Sequence, residues 1–173
     1  TVTKPATVKV SFEAIPPTKY TVTLTQTEHG KVTASPEIPE DKQVLKDTEI
    51  TFTAQAKDGY KVDKWTVTPA EALQAGTGAD ESETAKVKIT ADTTVSVSFI
   101  KKTYAITFSV EGGTGGTLEA KVDGKEISSG DMVEHGKEVN FTPKAEKGYR
   151  VKNWTLDGEN IGGTEYFTLG VSK

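Results

Sequence analysis

The chain repeats one stretch of its sequence at a constant spacing. Residues 46–66 read KDTEITFTAQAKDGYKVDKWT, and residues 135–155 read HGKEVNFTPKAEKGYRVKNWT. The matching tryptophans, Trp65 and Trp154, are 89 positions apart, as are the other shared residues. A fixed spacing over such a length marks a duplicated structural unit. The chain is therefore expected to fold as two copies of one small architecture and not as a single larger domain.

A third, partial copy is present at the other end of the chain. The first copy closes with residues 89–99, ITADTTVSVSF, and residues 2–12 read VTKPATVKVSF. The second copy stops at residues 171–173, before any such strand. We therefore expect a piece of a longer array, divided as follows: 1–15, the closing strand of a preceding repeat; 16–101, the first repeat; 102–173, a second repeat that lacks its closing strand.

Composition limits the class of protein. Hydrophobic residues make up 34% of the chain and charged residues 27%, so each unit has a lean core and packing against its neighbour is expected to help it fold. The net charge of −4 argues against nucleic acid or anionic membrane as partners, which need a basic surface. No apolar run approaches the ~18 residues of a membrane span, and the absence of cysteine excludes disulfides and thiolate sites.

The hydrophobic pattern has a period of two. Tyr20, Val22 and Leu24 alternate with threonines, and the pattern recurs in both copies. Strict alternation predicts strands with one apolar and one wet face. The expected fold class is mainly β: tandem small β-sheet modules, with a β-grasp-like arrangement as one option.

Loop signals separate the strands. The pairs His29–Gly30 and Asp58–Gly59 are typical of tight hairpin turns with positive φ. A Thr–Pro start and a following glycine allow at most one short helix, near 69–75. Residues 76–83, which include Asp80, Glu81 and Glu83, are expected to form a mobile acidic loop.

The motifs carry a resemblance to a known family. The order of Gly-Tyr-x-Val-x-x-Trp, short loop, strand and Thr-Val-x-Val-x-Phe resembles the divergent internalin-type B-repeat (Listeria–Bacteroides repeat-like) of bacterial surface proteins. The resemblance implies a small β-rich stalk or adhesion module without catalytic residues. The structural motif comprises Gly59, Tyr60, Val62, Trp65 and Phe99 in the first copy and Gly148, Tyr149, Val151 and Trp154 in the second.

The sequence contains no convincing reactive constellation, so we predict no catalytic, cofactor-binding or metal-binding residues. His29 and His135 do not occupy matching positions and are expected to be ordinary surface residues. The acidic groups at 80–83 and 157–160 lack the spacing of a dedicated calcium loop. Neither unit is expected to bind a divalent metal tightly.

The two tryptophans allow two interpretations. They can form an aromatic platform for sugar rings, or they can lie in the core beside Tyr60 and Tyr149; we favour the core. Because Trp65 is out of phase with Tyr60 and Val62, burial of all three requires a bulge between them. Two functions remain: a non-catalytic stalk or adhesion repeat of an extracellular, cell-surface or secreted bacterial protein, or a carbohydrate- or glycoprotein-binding module of a secreted enzyme.

The partner is expected to be a protein or glycan at the cell surface, and a second copy of the chain is a further option. The strand at 6–12 would expose an apolar row if it stayed free, and the second repeat would expose a sheet edge. We therefore expect residues 6–12 to dock in the gap after Lys173, in the same molecule or in a neighbour, which would give head-to-tail strand exchange.

Overall fold

The structure is a computed structural model that describes residues 4–5, 7–25, 27–163 and 165–172. It is mainly β and is built from several small sheets, which confirms the predicted fold class. The described helical segments are single 3-10 turns, at Ala70–Ala72 and Glu111–Gly113. The first lies inside the window predicted for a short helix.

The first repeat folds into two sheets that share one core. Its described strands are β1 (Lys19–Thr25), β2 (Gly30–Ser35), β3 (Gln43–Leu45), β4 (Glu49–Ala56), β5 (Tyr60–Thr68), β6 (Thr84–Lys88) and β7 (Thr93–Lys101). One sheet has the order β3-β1-β7-β5 and the other β2-β4-β6. The alternating apolar residues of both sheets, such as Val22, Phe52 and Val95, meet in the core between them. Their burial is the main contribution to the stability of this unit.

The closing strand β7 lies in the middle of its sheet. It runs parallel to β1, with Val22 opposite Thr93 and Thr25 opposite Ser96. On its other edge it runs antiparallel to β5, where Trp65 lies opposite Val97. The first and last strands of the unit are therefore neighbours, and β7 joins β1 to β5.

The second repeat has a smaller core. Its described strands are β8 (Thr103–Ile106), β9 (Gly116–Val122), β10 (Lys125–Ile127), β11 (Asp131–Glu134), β12 (Glu138–Ala145), β13 (Trp154–Leu156), β14 (Glu159–Gly162) and β15 (Phe167–Gly170). They form the sheets β10-β9-β12-β15, β11-β8 and β13-β14. Val139 and Phe141 of β12 lie at the centre of the core.

Strand registers show that the two repeats follow one plan. Val44 lies opposite Tyr20, and Val133 lies opposite Tyr104 in the same way. The backbone hydrogen bonds just before the closing strand also agree between the two repeats. Ile89 donates to Thr48 and accepts from Asp47, whereas Val171 donates to Lys137 and accepts from Gly136. Val171 is thus the counterpart of Ile89, the last core residue before the closing strand.

The predicted hairpins at His29–Gly30 and Asp58–Gly59 are wrong. Each of these turns connects strands that belong to different sheets and do not pair with each other. β1 and β2 belong to different sheets, as do β4 and β5. Gly59 does have the expected positive φ, 76°. Gly30 does not belong to the positive-φ glycines; a Cβ there would lie 2.2 Å from the Cζ of Phe99, so glycine is needed for close packing.

The loop of residues 76–83, for which a mobile acidic loop is predicted, lies over β5 and makes specific contacts with it. The Glu81 N–H donates to the carbonyl of Asp63 at 3.0 Å. The Lys61 ammonium forms an ion pair with the Glu81 carboxylate at 2.5 Å. These contacts hold the loop against β5.

The N-terminal segment lies outside both cores in this molecule. Residues 7–18 belong to no strand and are all exposed. Val8 and Phe12 are 91% and 93% exposed. Docking of this segment within its own chain is therefore not observed; Ala6, where the predicted strand begins, lies outside the described residues.

Candidate functional site

The second repeat has an open groove where the first has its closing strand. We call it the closing-strand groove: residues 106–110 form one wall and residues 149–156 the other, and it encloses about 590 Å³. In the first repeat, the equivalents of these walls are β1 and β5, which both pair with β7. Residues 107–110 and 149–153 belong to no strand, although the counterparts of residues 107–109 lie in β1 and those of residues 149–153 lie in β5.

Aromatic side chains form the floor of the closing-strand groove. Phe108 meets Phe141 edge to face at a centroid distance of 5.5 Å, and Phe141 stacks with Phe167 at 6.0 Å. Trp154 lies 5.7 Å from Phe167. Trp154, Phe108 and Phe167 remain half-buried, whereas Phe141 is buried. The groove therefore exposes part of an apolar core to solvent.

The motif residues of the first repeat pack around β5 and β7. Val62 and Trp65 are buried, and Phe99 lies opposite Val62. The strand register shifts between Val62 and Lys64, which is the bulge that the sequence phase required. Tyr60 is half-buried and stacks on His29, with ring centroids 4.2 Å apart.

Trp65 is part of the core and is only 3% exposed. Its Nε1–H donates a hydrogen bond of 2.7 Å to the Ser82 carbonyl in the acidic loop. This bond satisfies the single polar group of the indole and fixes the loop over the ring. The buried position supports the core interpretation over the sugar platform.

The motif residues of the second repeat are more open. Gly148 has φ 90° and no atom within 4 Å of an added Cβ. Tyr149 is 61% exposed and lies over Gly115, while Val151 and Trp154 are half-buried. All three large side chains line the closing-strand groove. The same motif is thus closed by β7 in one copy and left open in the other.

A single residue, Lys102, joins the two repeats. It lies between β7 and β8; its N–H donates to the Gly59 carbonyl, and its carbonyl accepts from the His135 N–H, both at 2.8 Å. Lys101 and Glu134 add an ion pair across the joint at 3.7 Å. The backbone at the joint is therefore tied to the first repeat on one side and to the second on the other.

The histidines have packing roles, which differs from the expected ordinary surface positions. Both rings are half-buried. The His135 ring faces Gly59 across the joint, where an added Cβ would lie 2.3 Å from its Cδ2. Tyr104 approaches the other side, with ring centroids 6.2 Å apart. His135 therefore fills the space between the repeats.

The resolved pKa shifts belong to surface ion pairs of the second repeat. The pKa of the Glu119 carboxyl is lowered because Lys144 donates a hydrogen bond to it. The Asp123 carboxylate, 2.7 Å from the Lys137 ammonium, raises the pKa of that lysine. Such exposed pairs are weak and do not constitute an acid–base site.

The described part of the chain contains neither a metal-binding cluster nor a membrane-spanning helix. In the ranges that the structure describes, no group of three or more His, Asp or Glu side chains is arranged to hold a metal ion. No helix in those ranges has the length and apolar character needed to cross a membrane.

The two strand-rich repeats and the joint between them place the chain in the class of tandem repeat modules. The chain belongs to the divergent InlB B-repeat domain family, which matches residues 20–103 and 106–169. This family is a repeat-domain family and is generally non-catalytic. No curated protein and no solved structure matches the chain. The boundaries at 15/16 and 101/102 and the functional importance of the motif residues stay predictions.

Sequence reasoning missed one of the two features that the structure adds to the motif and anticipated the other only as a gap. The cover over Trp65 was missed because its contact is made by a backbone carbonyl, which has no sequence signature. The gap was expected from the comparison of the two copies, in which residues 94–99 have no match in the second. Its walls and aromatic floor required the structure.

Proposed function

We propose that the chain is a non-catalytic spacer in a bacterial cell-surface or secreted protein, where it holds other parts at a fixed distance. The observation that carries this proposal is the joint at Lys102, which leaves one residue between β7 and β8 and bonds it to both repeats. A linker this short has almost no conformational freedom. Family membership supports the surface location.

The proposal predicts a narrow distribution of distances between the repeats. The chain contains no cysteine, so spin labels can be attached to the variants Lys31→Cys and Lys125→Cys in one chain, both at exposed sites. Pulsed electron resonance should give one narrow distance peak. Inserting Gly-Ser-Gly after Lys102 should broaden it. A distribution in the unmodified joint as broad as in the insertion variant would contradict the spacer role.

Carbohydrate binding is the second candidate, and the exposed ring of Tyr149 favours it. This tyrosine borders the closing-strand groove, whose floor also contains Trp154. Glycan-array binding that is lost in Tyr149→Ala, with unchanged melting temperature, would support this function. The spacer proposal predicts no glycan binding by either form.

A further inference from the structure

We propose that an open cleft in the first repeat binds an extended segment of a partner protein, one that carries an isoleucine-sized side chain beside a lysine or arginine. The cleft, here called the first-repeat cleft, lies between β1, β2 and the loop that follows β2, and it encloses about 590 Å³. The proposal is separate from the spacer role, which depends on the joint at Lys102.

The floor of the first-repeat cleft is apolar. Val22 and Leu24 of β1 line it together with Val32 of β2 and Ile38 of the loop. Leu24 and Ile38 pack against the core of the first repeat but are only half-buried. Part of the core is therefore open to solvent here, and an apolar side chain that covers it would gain the free energy of removing that surface from water.

The second repeat covers the equivalent place with its own chain. Ala34, which lines the cleft, lies opposite Phe52. Ala120 lies opposite Phe141 in the same way, so the two alanines are counterparts. Ile127 of β10 lies opposite Ala120 and packs against the core of the second repeat. Ala120 is accordingly fully buried, whereas Ala34 is half-buried.

The difference between the repeats comes from the loop after β2. Residues 122–131 of the second repeat contain β10, which pairs with β9. Residues 36–42 make the same connection in the first repeat, and none of the described strands pairs with the outer edge of β2. β10 thus shows the form of the proposed occupant: a short extended segment with one aliphatic side chain against the core.

The rim of the first-repeat cleft determines the charge of the occupant. Glu37 and Glu40 line the cleft and are exposed, and within the described part of the chain neither carboxylate belongs to an ion pair. Lys42 also lines the cleft, so two carboxylates face one ammonium group. This excess of negative charge favours a partner segment with a cationic side chain next to the aliphatic one.

Titration of the isotope-labelled full chain with a capped peptide tests the proposal by NMR. The probe Ser-Lys-Ile-Lys-Ser places the isoleucine between two lysines. The amide signals of Leu24, Ala34 and Ile38 should shift saturably, and that of Val139 in the second core should not. The same peptide with serine in place of isoleucine should bind about tenfold more weakly, because it buries less apolar surface. Absence of saturable shifts, or equal binding of the serine peptide, would overturn the proposal.

Charge reversal at the rim distinguishes the first-repeat cleft from general surface attraction. Glu37→Lys combined with Glu40→Lys should weaken binding about tenfold, since two weak attractions become repulsions. The matched control, Glu28→Lys with Glu71→Lys, makes the same change in net charge at exposed positions outside the cleft and should bind like the unmodified chain. Equal weakening by both double variants contradicts the proposal. Cleft signals that shift with protein concentration without peptide would make a second copy the occupant and also refute it.

A loop exchange tests the comparison between the repeats. Replacing residues 36–42 by residues 122–131 should place the transferred isoleucine opposite Ala34 and abolish peptide binding. The melting temperature of this variant shows whether the first repeat still folds. If the folded variant binds the peptide as tightly as the unmodified chain, the cleft is not the binding site. If the variant does not fold, the rim variants decide the outcome.

Discussion

Trp65 and Trp154 occupy the same motif position in different surroundings. Trp65 is closed in by β7 and bonded to Ser82, whereas Trp154 borders the closing-strand groove. The environment of this residue is therefore decided by the strand that covers it and not by the motif itself.

Substitution of the two tryptophans should have unequal effects. Trp65→Ala should destabilise the first repeat by about 3–5 kcal/mol, the range for truncating a large buried aromatic, and Trp154→Ala should cost less because its ring is half-buried. Urea unfolding followed by circular dichroism measures both. Equal losses for the two variants, or an unchanged transition for Trp65→Ala, would contradict this expectation.

Gly59 and Gly148 form a second matched pair. Both have positive φ, 76° and 90°, where alanine is strained, but Gly59 alone of the two faces His135. Gly148→Ala should cost about 1 kcal/mol from the backbone, and Gly59→Ala should cost more because its Cβ meets the imidazole. His135→Ala should recover part of the loss in Gly59→Ala. If thermal unfolding shows the same loss of stability for Gly59→Ala and Gly148→Ala, His135 does not pack against Gly59.

At the scale of elements, β7 and residues 7–12 of the N-terminal segment have nearly the same sequence, but β7 lies within a sheet and residues 7–12 do not. Val95 is fully buried in β7, and its counterpart Val8 is exposed. Identical residues in nearly identical segments thus have different energetic weight, because stability depends on what covers them.

Truncation of these two valines should separate their contributions. Val95→Ala should lower the free energy of unfolding by about 2 kcal/mol, since it removes two buried methyl groups and leaves a cavity. Val8→Ala should leave it unchanged at protein concentrations where the chain is monomeric. Guanidinium unfolding at low concentration measures both values; a loss in Val8→Ala under those conditions would show that the segment is docked within its own chain.

The sequence predicted the strands better than their pairing. Alternation located the strands, and the phase conflict between Val62 and Trp65 located the bulge, because both depend on local side-chain order. The hairpins at His29–Gly30 and Asp58–Gly59 were wrong, because whether two strands share a sheet is decided by distant partners such as β7. Gly30 shows the same limit: its glycine is required by Phe99, a residue 69 positions away.

At the scale of the whole molecule, the two repeats differ in how completely they are closed. Val62 and Val67 of β5 are buried, while their counterparts Val151 and Leu156 are half-buried. The second repeat therefore has less apolar burial to resist opening.

Hydrogen exchange should detect this difference. In the monomer, amides of β12 should exchange faster than those of β4, since local opening costs less where fewer apolar contacts are broken. Equal protection of the two strands without peptide would contradict the predicted difference in stability.

The parallel pairing of β1 with β7 also determines how a repeat responds to pulling. Tension applied through the ends of the first repeat draws these two neighbouring strands along each other, so the bonds between Val22–Thr25 and Thr93–Ser96 are loaded in shear and together. An antiparallel hairpin pulled from its open end would instead unzip one bond at a time. The first repeat therefore has the geometry of a mechanical clamp.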